Sequence, residues 1–173
     1  MKRTLLLAII LCTCLSGMAV EITYVDFPKT SVIAMRIDDY AKMGEAFGKL
    51  AGWAGPKGLI GPNTLFLTIY HANLVQIPEN PPRIDAAITA NIDYSPSKEM
   101  VLAEIGGGKY AKYVYKGPYD KLGQAWHDLL TEVMKSKDYT TADKPSFEVY
   151  LNKPGQVKPE ELVTEIYLPV EPK

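Results

Sequence analysis

The sequence predicts an α+β fold: two copies of a strand–strand–helix–strand–strand unit, related by a pseudo-twofold, giving a mostly antiparallel eight-stranded sheet with both helices on one face. Three observations lead there. The first is an internal repeat. Residues 69–90 (IYHANLVQIPENPPRIDAAITA) align without a gap on residues 149–170 (VYLNKPGQVKPEELVTEIYLPV), and 149 − 69 = 80. Tyr70 falls on Tyr150, Gln76 on Gln156 and Asp85 on Glu165. Upstream the offset slips by one. DYAKMGEAF (39–47) falls on PYDKLGQAW (118–126), which pairs Tyr40 with Tyr119, Gly44 with Gly123, Ala46 with Ala125 and Phe47 with Trp126. The second observation is apolar alternation in short blocks, and the third is one helical apolar stripe in each copy. A period near 80 exceeds the ~20–50 residues of solenoid repeats. Two copies therefore form one pseudo-symmetric domain, whose seam is a natural place for a concave site.

The elements follow in order. ITYVDF (22–27) alternates and precedes a proline, as a strand does. SVIAMRI (31–37) is the second strand. From Tyr40 to about Trp53, Met43, Phe47 and Leu50 recur at helical spacing, and the helix ends in Gly55-Pro56-Lys57-Gly58. TLFLTIYH (64–71) is a strand. ANLVQIPENPP (72–82) is a loop, because its three prolines forbid ladder bonding. RIDAAITANI (83–92) closes the first half, and residues 93–97 join the halves. The second half repeats the order with MVLAEI (100–105), KYAKYVYK (109–116), a helix from Tyr119 to about Met134, SFEVYLN (146–152), a proline-bearing loop and LVTEIYLPV (162–170). Alternation separates Phe147, Val149 and Leu151 from Glu148, Tyr150 and Asn152. The apolar set is expected under the helices, and the Glu/Tyr set on the uncovered face.

At 173 residues the chain is about one domain, large enough to bury a core without staples. A net charge of −1 with interspersed signs gives nucleic-acid binding no electrostatic support. Residues 1–19 read as a secretory signal. Lys2 and Arg3 precede LLLAIILC (5–12), which is too short to span a bilayer, and Gly17-Met18-Ala19 supplies small residues for cleavage after Ala19. The domain is then 20–173, with half-units at about 21–93 and 98–171, exported to a periplasmic or extracellular space. A rival reading lipidates Cys14 in Leu11-Cys12-Thr13-Cys14, although Cys12 stands where a small residue is usual. That leader or lipid would be the sole membrane attachment. Both cysteines lie in the leader, so the mature chain has no thiol for disulfides, catalysis or metal binding.

KYAKYVYKGPYDKLGQAW followed by FEVYLNKPGQVKPEELVTEIYLPV resembles the GyrI-like superfamily, the effector-binding domain of AraC-type and MerR-type multidrug-sensing regulators, also found alone as gyrase-inhibitor-like proteins. The resemblance covers both halves. It implies a curved sheet with a groove between the halves. The groove would hold a small cationic or amphipathic aromatic compound between an acid and aromatic rings. The family's motif glutamate corresponds to Glu148, and a second acid on the last strand to Glu165. The resemblance also implies a runner-up activity, hydrolysis of strained cyclopropane-bearing compounds with Glu148 as the catalytic base. With no helix-turn-helix in the sequence and an export signal at its start, transcriptional control is not expected. A third reading is haem binding, because the SOUL family shares the duplicated architecture.

Glu148 carries the most weight. Apolar and aromatic neighbours flank it, and its repeat mate is the neutral Thr68, as a single-site groove requires. Tyr70 and Tyr150 are repeat mates on the same face and are expected as ligand walls. Tyr113 and Tyr115 share a face with each other and are further candidates, and Glu165 is a candidate second acid. Trp126, the mate of Phe47, is expected in the core. No metal or cofactor is expected. His71 and His127 lie in different halves without zinc spacing, and Gly106-Gly107-Gly108 precedes a strand, so it reads as a bend and not as a phosphate loop.

Overall fold

The computed structural model describes residues 20–71, 83–90 and 96–173. The leader with Cys14, the loop at 72–82 and most of the joining segment lie outside the described residues. In chain order the elements are β1 (Ile22–Phe27), β2 (Thr30–Ile37), α1 (Met43–Ala54), β3 (Phe66–Tyr70), β4 (Ile84–Thr89), β5 (Val101–Ile105), β6 (Gly108–Lys116), α2 (Leu122–Lys135), β7 (Tyr139–Thr141), β8 (Ser146–Tyr150) and β9 (Val163–Pro172). One 3-10 turn, Tyr40–Lys42, leads into α1, and another, Tyr119–Lys121, leads into α2. Asp39 caps the first, its carboxylate accepting the Ala41 amide at 2.9 Å. No described helix is long and apolar enough to cross a membrane.

Eight strands run in the order β1-β6-β9-β8-β3-β4-β2-β5, all antiparallel. The described strands number nine, not the expected eight. The addition is β7, which pairs with the end of β9 through Tyr139 and Pro172. Three residues are too few to show alternation. The strand is held instead by pairing and by the Tyr24 ring, stacked 4.4 Å from Tyr139.

The two halves exchange their first strands. β1 of the first half pairs with β6, and β5 of the second half pairs with β2. One register runs through both ladders: Phe27 faces Gly108 and, past the bend, Thr30 faces Ile105. The bend rests on Gly106 and Gly107, at φ +76 and +69. A Cβ on Gly106 would stand 2.3 Å from the Pro28 carbonyl oxygen, so only glycine allows this crossing. Because the bent ribbon joins the two ends of the strand order, the sheet curls and encloses one of its faces.

That curl inverts the expected sides of β3 and β8. Alternation groups the residues as the sequence implied, but Phe147, Val149, Leu67 and Ile69 turn away from the helices. They fill a closed core with Val32, Ala34, Ala87, Tyr110 and Tyr167, against which Phe27 packs. Glu148, Tyr150, Thr68 and Tyr70 lie on the helix side. There Ile33, Met35, Ala86 and Ile88 pack under α1, and Ala111, Ile166 and Leu168 under α2. The rule that the more apolar face meets the helices fails for β3 and β8, since the helix-free face is itself closed by the curl, and holds for β9, whose Ile166 and Leu168 lie under α2.

The repeat mates Asp85 and Glu165 lie on the enclosed side, each held by partners. Asp85 is fully buried. Arg83 donates to it through Nε at 3.1 Å and Nη2 at 2.8 Å, and His71 Nε2 stands 2.8 Å from the same carboxylate. Burial alone would raise the Asp85 pKa, but the His71 and Arg83 hydrogen bonds outweigh it and hold the group below the ordinary carboxylate range. His71 is therefore structural.

Candidate ligand-binding site

β3 and β8 meet at the seam in a register that places Thr68 opposite Glu148. These are repeat mates (148 − 68 = 80), so the pseudo-twofold axis passes between them. β8 lies between β3 and β9, so the Glu148 backbone is committed to two ladders and its side chain is fixed toward the helix face. The residue is 1% exposed. Trp126 Nε1 on α2 donates to Oε1 at 2.6 Å, and the Tyr150 hydroxyl donates to Oε2 at 2.6 Å. Thr68 Oγ1 lies 2.7 Å from that Tyr150 hydroxyl, whose O–H is engaged with Glu148, so that its oxygen accepts from Thr68. The Tyr70 hydroxyl stands near enough to act on the Glu148 carboxyl, and Tyr40 near enough to act on the Tyr70 and Tyr150 hydroxyls.

Burial raises the Glu148 pKa, and the Tyr150 and Trp126 hydrogen bonds and the nearby Tyr70 hydroxyl offset only part of this rise. No basic side chain of the described residues acts on it. The surrounding phenols respond. Burial first, then the Glu148 charge, pushes Tyr119 up to about 12. Tyr70 and Tyr150 rise well above their ordinary value for the same two reasons. The rings pack on each other: Tyr70 stands edge-on to Trp126 at 5.5 Å, Tyr119 tilts against Tyr150 at 5.3 Å and Phe47 meets Tyr150 at 5.7 Å.

A cavity of about 730 Å³ opens beside this cluster, between α1 and the loop after β8. Tyr40, Met43, Phe47, Phe66, Tyr119 and Tyr150 line its body, and Ile60, Pro62, Leu151 and Lys153 its rim. The size and the mainly apolar, tyrosine-bearing wall suit a small organic molecule. Tyr150 belongs to both parts: its ring faces the cavity and its hydroxyl holds Glu148.

The six expected site residues therefore divide. Glu148 and Tyr150 stand together at the site, and Tyr70 stands behind, on the far side of the carboxyl. Tyr113 and Tyr115 share the helix face but pack against α2, where the Tyr115 hydroxyl donates to the Pro118 carbonyl at 3.2 Å. Neither lines the cavity. Glu165 is on the opposite face from Glu148. It pairs with Val149, while Ile166 is the residue beside Glu148. Lys112 and the Tyr167 hydroxyl, at 2.7 Å, occupy its carboxylate. Trp126, expected in the core, packs against the apolar cluster under α2 and in addition supplies a hydrogen bond to Glu148. Tyr40, Tyr119 and Phe47 join it as site residues the sequence reading did not select. The repeat held the signal. Phe47 becomes Trp126 and Thr68 becomes Glu148 in the second copy, and the donor and acceptor so gained meet at 2.6 Å.

Among the described residues no group of three His, Cys, Asp or Glu is placed to hold a metal ion. A duplicated sheet with an acid–aromatic cluster at its axis and an open apolar cavity beside it defines a small-molecule-binding domain. The chain belongs to the GyrI-like family, whose small molecule binding domain matches residues 20–171. The DNA gyrase inhibitor of Escherichia coli (strain K12) is 26% identical over 132 residues, 75% of this chain and 82% of that protein. The C-terminal domain of EcmrR shares the fold at a TM-score of 0.72 and 20% identity, over 89% of this chain and 99% of that domain. This chain spans 58% of the EcmrR chain in its DNA complex. SAV2435 bound to tetraphenylphosphonium shares the fold at a TM-score of 0.55 and 15% identity, over 87% of this chain and 95% of that one.

Proposed function

We propose that this chain captures a small amphipathic, cationic aromatic compound in the cavity beside α1, with Glu148 as its counter-charge. One observation carries the reading. A buried carboxyl at the axis has aromatic donors and no basic partner among the described residues. Such a group is costly to ionise alone. A cation brought near it lowers that cost, and each aromatic face it covers adds about 0.5–2 kcal/mol. Tyr40, 46% exposed, is the outermost ring of the cluster and the one most free to give way. The binding of tetraphenylphosphonium by SAV2435 supports the ligand class. Hydrolysis fits less well, since Glu148 is not on the cavity wall, and a general base must come within hydrogen-bond reach of its water whereas a charge acts at longer range.

Calorimetric titration with tetraphenylphosphonium and with neutral triphenylphosphine oxide tests this. The cation is expected to bind about tenfold tighter or better, a difference of ~1.4 kcal/mol. Equal affinities would remove the charge role, and no binding of either would remove the cavity. We also propose that the domain acts after export, with residues 1–19 removed. The mass of the protein recovered outside the cytoplasm should correspond to a chain starting at Val20, and a lipid-modified Cys14 would contradict this.

A further inference from the structure

A second cavity of about 240 Å³ lies on the α2 side of Glu148, lined by Tyr70, Trp126, His127, Leu130 and Leu168. It is the repeat counterpart of the first. On the helices the offset is 79, so Phe47, Gly48 and Ala51 of the larger cavity become Trp126, His127 and Leu130. On the strands the offset is 80, so Tyr150 becomes Tyr70. The two cavities flank the axis, and Glu148 stands between them, bonded to Tyr150 of one and Trp126 of the other. The second is smaller because Gly48 and Ala51 are replaced by larger side chains.

We propose that this second cavity is a separate binding site for one neutral phenol-type ring. Its size exceeds the ~150 Å³ of a protein cavity known to hold benzene. Two aromatic rings, crossed at 78°, form adjacent walls against which an aryl group can pack. Glu148 lines neither cavity, and this one is too small for a bulky aromatic cation, so its aromatic and aliphatic walls suit a single uncharged ring. His127 is the one imidazole on its wall and is exposed, so it can exchange a hydrogen bond with a hydroxyl while the ring sits on Leu130 and Leu168. The proposal rests on cavity geometry and stands apart from the charge role of Glu148.

The test is a methyl NMR titration of the full domain with p-cresol, alone and with tetraphenylphosphonium present. Shifts should concentrate at Leu130 and Leu168, spare Met43 and Ala51, and persist when the cation is present. Leu130→Trp fills the cavity and should weaken p-cresol at least tenfold. Leu130→Ala removes one apolar wall of the ring site and should weaken p-cresol several-fold as read at Leu168, and this second variant decides the matter if the first does not fold, unchanged p-cresol binding in it overturning the proposal. Shifts confined to Met43 and Ala51, no saturable shifts, or p-cresol binding unchanged in Leu130→Trp would each overturn the proposal. Absence of tetraphenylphosphonium binding would contradict the charge reading above without affecting the p-cresol result.

Discussion

Glu148→Gln is expected to lose at least tenfold in affinity for tetraphenylphosphonium while gaining stability at neutral and alkaline pH. The two halves of this result have one cause. Glutamine keeps the shape and still accepts from Trp126 Nε1, so the cavity should persist. The charge is what disappears, and neutral triphenylphosphine oxide should bind both proteins alike. The stability gain follows from linkage. Burial raises the folded-state pKa of Glu148 above its unfolded value, so the fold prefers the protonated acid. The stabilisation from that preference is complete below the ordinary value of about 4.3, is lost as pH rises through the raised value, and stays lost above it. The melting temperature of the parent should therefore fall relative to Glu148→Gln across that window and run parallel to it above. A variant that is less stable than the parent at every pH, with cation affinity intact, would make Glu148 a structural acid. A buried acid kept at a stability cost is what a site under functional demand shows.

Phe147→Ala should be the most damaging single change in the described core, costing about 3–5 kcal/mol. Phe147 is the neighbour of Glu148 in sequence but lies on the opposite face. It is fully buried, stacked on Tyr167 at 4.8 Å, and met by Phe27 at 4.8 Å and Tyr110 at 5.1 Å. Those contacts join β1, β6, β8 and β9, so the ring ties the exchanged strand to the seam. Urea unfolding should show a lower midpoint with an unchanged slope. Under conditions where the variant is still folded, tetraphenylphosphonium should bind as in the parent, because nothing of Phe147 reaches the cavity. A loss below about 1 kcal/mol would mean that the curled face repacks easily, against the view that it is a close-packed core.

Much of this fold is legible in the sequence because the repeat enforces itself twice. Strand β1 and both helices fall where alternation and helical spacing put them, and Gly106-Gly107 forms the bend its composition suggests. What the pattern could not give is the side on which each face lies. Alternation says that Phe147 and Glu148 point apart. Which of them meets the helices depends on the strand exchange between β1 and β6, and no local signal encodes that. Glu165 leaves the site because β8 is inverted and β9 is not: Ile166 and Leu168 lie under α2, which leaves Glu165 on the helix-free face. Its parity along β9 ties it to Val149, and the carboxylate is neutralised by Lys112. Tyr113 and Tyr115 were legible as face residues but not as α2 packing, because distance from the axis is a tertiary quantity. Trp126 was readable in principle: a Phe-to-Trp change between copies adds one N–H donor, and the one new acid on the seam is its acceptor.

The central claim is that the Glu148 carboxyl is held poised for a positive guest, and a carboxyl carbon-13 NMR titration of that one side chain tests it most directly. The free protein should show Glu148 titrating above the ordinary carboxylate range, and saturation with tetraphenylphosphonium should move that midpoint down, with cation affinity rising as pH passes through it. A midpoint at the ordinary value, or one that the bound cation leaves in place, would contradict the account.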